Sequence, residues 1–134
     1  MRKVDRTAYM DSMREIDIHK MLCHQNVIRL HEIIDDTDDD KVYLIMEYAE
    51  LGQILTHDYD SNLFVPPLSL GTNILSEKDV RKFAQQIVEA VAYLHRKKVM
   101  HCDLKPQNIL IDSSGNAKLA DFGSAQIFYQ DGED

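Results

Sequence analysis

The sequence predicts an α+β chain, and three observations predict it. One long segment repeats apolar residues at helical spacing behind a serine. Two β-branched and aromatic runs flank a cluster of aspartates. Three shorter runs of the same kind follow the long segment, and the last two enclose Ser113, Ser114, Gly115 and Asn116, a strong turn signal.

Taken in chain order, the first element is amphipathic. Met10, Met13, Ile16, Met21 and Leu22 recur at helical spacing, which predicts a helix over about 8–23. Residues 26–34 and 41–48 are short, β-branched or aromatic runs. They predict an antiparallel hairpin joined by Asp35–Asp40, a polar turn. Asp36, Asp38 and Asp40 alternate as calcium-loop ligands do, and Glu47 falls at the twelfth position. The sixth position, where such a loop needs glycine, is Lys41, and 42–46 read as strand, so a solvated turn is the better reading.

Residues 49–75 are punctuated by Gly52, Pro66, Pro67 and Gly71 and predict a connection with one short helix and an insert. Ser76 to Asp79 reads as a capping box with Asp in place of the usual Glu or Gln. Val80, Phe83, Ala84, Ile87, Val88, Val91, Ala92 and Leu94 then form one stripe, predicting a helix over about 77–97. Arg96, Lys97 and Lys98 close it, favourably placed at the negative end of the helix dipole. Strand candidates follow at 99–101, 108–112 and 117–121.

Size and charge narrow the function. The chain has 134 residues, 44% hydrophobic and 28% charged, which suits one globular domain. A net charge of -8 argues against nucleic-acid or membrane-surface binding, which need clustered Lys and Arg. Two cysteines, Cys23 and Cys102, form no disulfide framework or metal motif, which points to a reduced, intracellular setting, read as cytoplasmic with the nucleus left open. No signal peptide and no apolar run near the ~20 residues of a membrane span is visible, so a soluble protein is expected.

The chemistry concentrates between 101 and 123. His101-Cys-Asp-Leu-Lys-Pro-Gln-Asn108 supplies Asp103, Lys105 and Asn108, and Asp121 stands thirteen residues beyond Asn108, in Asp121-Phe122-Gly123. Phosphoryl transfer from a nucleotide needs oxygen ligands for divalent cations, a carboxylate to orient the attacking hydroxyl, and a cation to hold the transferred group. Asn108 and Asp121 can be those ligands, Asp103 the base and Lys105 the cation. A hairpin between Asn108 and Asp121 would bring them together. Singly, each has a plain reading as a turn former or a solvated charge; the joint spacing does not.

This pattern, H-x-D-L-K-P-x-N and then D-F-G, resembles the eukaryotic protein kinases, and the resemblance runs over nearly the whole chain, clearest from Val99 to Ala125. It implies a protein-kinase-like two-lobe fold truncated at both ends, with 1–48 part of the small lobe and 49–134 part of the large lobe. It implies ATP and Mg²⁺ as cofactors and a protein substrate, and leaves the oligomeric state open. Asp103 then matches the catalytic base, Lys105 followed by Pro106 the lysine of serine/threonine-specific members, and Asn108 and Asp121 the Mg²⁺ ligands. Leu110 matches the residue under the adenine ring, Met46 the gatekeeper, and Glu47 and Ala49 the hinge whose backbone holds adenine. Arg14-Glu15-Ile16 resembles the small-lobe regulatory helix, so Glu15 matches the glutamate that pairs with the ATP-binding lysine. His101 and Phe122 match members of an internal hydrophobic spine. His19 stands where that spine usually has Leu or Met, as a residue that loosens the helix or as a satisfied core histidine.

The pattern also breaks. No G-x-G-x-x-G occurs, and Lys3 is the nearby candidate for the ATP-binding lysine. Cys102 replaces the Arg that usually grips a phosphorylated activation loop. The chain alone is therefore expected to be inactive, with an exposed sheet edge and an uncovered long helix. Three readings follow: a serine/threonine kinase, a catalytically inactive truncated kinase acting as a binding or regulatory module, and a small-molecule phosphotransferase, which Lys105-Pro106 and Asp121-Phe122-Gly123 oppose. The stretch from His31 to Asp36 and the later insert resemble the calmodulin-dependent kinase-kinase type.

Overall fold

In the computed structural model, residues 6–36, 41–72 and 74–128 are described. Lys3 and the centre of the aspartate cluster, 37–40, lie outside them. Helix α1 spans Arg6–Lys20, ending before the expected limit because Met21 and Leu22 turn back onto the carbonyls of Ile18 and His19 at 3.1 Å each. Such tightened last-turn bonds satisfy carbonyls that a helix end otherwise leaves unpaired. The expected stripe is also rotated: Ile16, Ile18, His19 and Leu22 are buried, whereas Met21 is exposed.

Strands β1 (Leu30–Asp36) and β2 (Lys41–Met46) form the expected antiparallel hairpin, with Ile33 opposite Leu44. The first strand was expected to begin at 26. Asn26, Val27 and Ile28 are all buried, so they follow no inside–outside alternation. They run instead beside Leu119: Val27 makes a parallel bridge to it, Ile28 N–H donates to its carbonyl at 2.9 Å, and its N–H donates to Asn26 at 2.8 Å.

The connection at 49–75 is more structured than expected. It holds β3 (Gly52–Gln53), a hairpin of β4 (Thr56–Asp58) and β5 (Leu63–Val65), and a single 3₁₀ turn at Leu68–Leu70 where a short helix was foreseen. Helix α2 is Glu77–Arg96. Ser76 caps it, its oxygen accepting from Asp79 N–H at 3.1 Å. The Asp79 carboxylate takes the Ser76 hydroxyl at 2.6 Å. A full capping box would send the N3 side chain back to the cap's backbone N–H; here the shorter Asp engages the hydroxyl instead.

Four short strands complete the chain: β6 (Val99–Met100), β7 (Ile109–Ile111), β8 (Ala117–Leu119) and β9 (Gln126–Ile127). The order β3-β7-β8 makes one antiparallel sheet, and β6 pairs with β9, a strand the sequence did not reveal. Phe83, Ile87, Ala90 and Leu94 of α2 pack on Ile111, Ala117 and Leu119, with Ile18, Leu22 and Phe122 closing the core. Each of the Leu, Ile and Phe side chains contributes about 1.5–3 kcal/mol on burial. One flank of α2 beside its core stripe is open: Val80 and Val88 are exposed and line an apolar groove of about 390 Å³ with Leu55, Leu75 and Ala84. Tyr43, Ile45 and Met46 of β2 are exposed as well. The open flank of α2 matches the uncovered helix the sequence led us to expect.

Candidate active site

Beyond β6 the chain turns through His101, whose buried ring fixes the local geometry. Its Nδ1 accepts Asp103 N–H at 3.2 Å, and its Nε2 lies 2.9 Å from the Ala120 carbonyl. An imidazole satisfies both contacts only with the proton on Nε2, which then donates to Ala120. Cys102, between them, adopts φ +65. A non-glycine residue there is costly, on the order of 1 kcal/mol or more, and the contacts on both sides hold it. Its thiol is exposed and faces the Met100 carbonyl at 3.7 Å.

Asp103 is the centre of a polar cluster. Its Oδ2 lies 2.9 Å from Lys105 Nζ and accepts from Asn108 Nδ2 at 3.1 Å, while its carbonyl accepts from the same Nδ2 at 2.9 Å. Asn108 is buried at the end of a 3₁₀ turn, Pro106–Asn108, whose first position suits proline. The Lys105 hydrogen bond is the main reason Asp103 sits below the usual carboxylate range. Burial opposes it, and the Lys105 charge, Asn108 and His101 add to it. Asp103 is therefore an ionised acceptor at neutral pH. The ion pair is half open to water, so it contributes little to stability.

Ala120 ties this loop to Asp121. Its N–H donates to the Asn108 carbonyl at 2.8 Å and its carbonyl accepts from His101. Asp121 follows at φ +62, and its Oδ1 accepts Gly123 N–H at 3.1 Å. A side chain at Gly123 would have its Cβ 3.2 Å from Asp121 Oδ1 and 3.5 Å from Glu15 Oε2. A side chain there would press on the Asp121 carboxylate, and the Glu15 carboxylate of α1 reaches the same turn. Phe122 is buried between two rings, His19 at 4.9 Å and His101 at 5.2 Å between centroids. His19 Nε2 meets the Ile28 carbonyl at 2.8 Å, so it is a satisfied core histidine.

A cavity of about 280 Å³ opens above this turn. Glu15, Met46, Glu47, Leu110 and Asp121 all line it, with Ala120 in the wall. Ala49 lies outside that wall, buried, its carbonyl taken by Gly52 N–H at 3.2 Å. Asp103, Lys105 and Asn108 also lie outside it, joined to Asp121 through Ala120. Among the described residues, no group of three or more His, Cys, Asp or Glu stands ready to enclose a metal by itself, and no helix is long and apolar enough to cross a membrane.

The sequence matches the protein kinase domain over residues 1–133. The chain belongs to the protein kinase family. It is 40% identical to the serine/threonine-protein kinase GRIK2 of Arabidopsis thaliana over 125 residues, which is 93% of this chain and 28% of that protein. It is 39% identical over 124 residues to a probable serine/threonine-protein kinase of Dictyostelium discoideum, covering 92% of this chain and 16% of that one. It is 39% identical over 126 residues to the human NUAK family SNF1-like kinase 2, covering 94% and 18%. The chain thus spans less than a third of the length of these kinases.

Two residues that sequence reasoning passed over matter within this kinase architecture. Lys118 pairs with the Glu47 carboxylate, which also accepts Arg29 N–H at 3.1 Å. The alternation of Ala117, Lys118 and Leu119 could have marked Lys118 as the outward residue of β8, but not its partner across the chain. Ala120 had no signal, because its part is played by its backbone.

Proposed function

We propose that this chain carries the catalytic loop and metal-binding turn of a serine/threonine protein kinase, which transfers a phosphoryl group from ATP to a hydroxyl of a protein substrate. The observation that supports the reading is the double tether of Ala120, which bonds the residue before Asp121 to Asn108 and His101, at the two ends of the loop that carries Asp103 and Lys105. In this reading 1–48 belong to the small lobe and 49–134 to the large lobe, and Leu110, Met46 and Glu47, which line the cavity, receive the adenine, with Ala49 next along the hinge. Glu15 faces the turn from α1, ready to pair with a lysine that positions phosphates. Two exposed free cysteines fit a reducing compartment.

Asp103 holds the substrate hydroxyl in line for attack. Its depressed pKa makes it a weak base at rest, so the proton passes to its carboxylate as the phosphoryl group leaves the nucleotide. Lys105, already at Asp103, offsets charge on the phosphoryl oxygens. The donors fit Mg²⁺: Asp121 is a carboxylate, and Asn108 spends its amide nitrogen on Asp103, leaving its oxygen as the free end of the carboxamide. Asn108 and Asp121 would hold the ion, and bound Mg²⁺ supplies neutralisation of phosphate charge.

The test is titration of the chain with a fluorescent ATP analogue, with and without Mg²⁺. Mg²⁺ should tighten binding, and Asp121→Ala should remove that gain. In a peptide-phosphorylation assay of the protein carrying this segment, Asp103→Asn should reduce turnover by about a thousandfold or more at unchanged nucleotide affinity. Binding indifferent to both Mg²⁺ and Asp121 would overturn the reading. Nucleotide binding with no transfer by the wild type would favour the binding-module alternative.

A further inference from the structure

The β4–β5 hairpin serves no part of the site just described. None of its residues joins the core among the described residues. It is held at its base, where Ser69 Oγ donates to the Leu51 carbonyl at 2.6 Å. Two-stranded hairpins are marginal alone, and this one is stiffened locally. Asp58 accepts the N–H groups of Asp60 and Ser61 and the Ser61 hydroxyl, and His57 packs on Phe64 across the strands at 5.3 Å. His57 also meets Tyr59 edge-on at 4.7 Å. The result is a displayed aromatic face: Tyr59 is 89% exposed and Phe64 52%.

The charge of the hairpin itself has one sign: residues 56–65 hold Asp58 and Asp60 and no Lys or Arg. Ionised carboxylates beside open aromatic rings attract cations twice, by Coulomb force and by the ring quadrupole. The hairpin also rises from the edge of the site: Ile54 N–H, two residues before β4, donates to the Ile109 carbonyl at 2.8 Å, next to Asn108 and Leu110.

We propose that the β4–β5 hairpin is a docking arm for a partner protein segment that carries Lys or Arg beside a large apolar side chain. The exposed Tyr59 and Phe64 rings receive the apolar group, and Asp58 and Asp60 receive the cations. A second copy of the chain is disfavoured, because each copy carries a net charge of -8 and the same acidic arm. An anionic membrane surface is disfavoured for the same reason. The arm stands whether or not the segment is a phosphorylation substrate, so it does not depend on the catalytic reading.

The experiment is fluorescence anisotropy of a labelled peptide alternating Arg and Leu, titrated with the full chain. Two control peptides carry Glu for Arg, or Ser for Leu. The Arg–Leu peptide should bind and weaken with added salt, and both controls should lose affinity by about tenfold or more. Asp60→Lys leaves the turn intact, since the turn uses only the Asp60 N–H, and should weaken binding about tenfold. Tyr59→Ser with Phe64→Ser should do the same at unchanged circular dichroism. Equal binding by either variant, or by the Glu peptide, overturns the proposal. So does hairpin-dependent self-association in sedimentation, or hairpin-dependent binding to phosphatidylserine vesicles in place of the peptide.

Discussion

In the β7–β8 hairpin, Asp112 Oδ1 accepts the N–H groups of Ser114 and Asn116 at 3.0 and 2.9 Å, and Gly115 takes φ +74. In the β4–β5 hairpin, Asp58 accepts the N–H groups of Asp60 and Ser61 at 3.2 and 3.3 Å, and Asn62 takes φ +55. The turn device is shared: a leading Asp, two amides and one left-handed residue. Their surroundings differ. The β7–β8 turn is gripped from outside by Lys82 on the Gly115 carbonyl, by Glu50 on Ser113 N–H and by Gln86 on both Asn116 and Ala117, and Ile111, Ala117 and Leu119 are buried beneath it. Among the described residues, the β4–β5 turn is gripped only from within its own hairpin. Local turn chemistry makes a hairpin; the side chains that reach it from elsewhere decide whether it positions a site or presents a surface.

Substitutions should separate the two hairpins. Leu119→Ala removes a fully buried side chain and should cost about 2–5 kcal/mol, whereas Leu63→Ala, at a residue 61% exposed, should stay within about 0.5 kcal/mol. Denaturant midpoints would measure both, and equal losses would break the comparison. Asp112→Ala strips two amides in the gripped turn and should cost about 1–2 kcal/mol. Asp58→Ala should leave the midpoint nearly unchanged while hydrogen exchange quickens at Asp60 and Ser61.

Acid should act on the free hairpin late. Asp58 lies below the usual carboxylate range, chiefly through the Ser61 hydroxyl and then the Asp60 and Ser61 amides. A lowered folded pKa contributes order that is present above the unfolded value and is lost as pH falls through the folded one. The amide resonances of Asp60 and Ser61 should therefore hold their positions below ~3.9, the ordinary Asp value, before shifting. A shift centred at or above that value would deny the Asp58 cap. The smallest effect belongs to Asn62→Gly, which relieves a left-handed residue and should alter stability by only a few tenths of a kcal/mol in a thermal melt, gain and added chain entropy nearly offsetting.

The same contrast explains what was legible. Ser113 to Asn116 was readable as a turn because two clear apolar runs flank it. The β4–β5 turn has equal chemistry, yet its strands are three residues each and merge with Pro66 and Pro67, so 49–75 read as a connection. Helix α2 was readable to within a residue at its end, because its stripe, its cap and its core face all agree. Helix α1 was shifted: Met21 scores as apolar but is exposed, and His19 is polar but buried, because the Ile28 carbonyl and Phe122 give it partners that lie far away in sequence. The candidate site was legible through its side chains. Asp103, Lys105, Asn108 and Asp121 were visible by spacing, and Glu15, Met46, Glu47 and Leu110 by resemblance. The Lys118–Glu47 pair was not, since no spacing within one strand reports a contact with another segment.

Ala120 carries a lesson for anyone comparing variants of this chain. It joins the His101–Asn108 loop to the turn at Asp121 with its own N–H and carbonyl, and its methyl group takes no part in either bond. Exchange for another small residue should pass unnoticed, whereas proline, which has no N–H to give, should disconnect Asn108 from Asp121. Freedom to vary at a position therefore says little about how much depends on it: the assembly of this site hangs on a residue whose identity is nearly free and whose main chain is not.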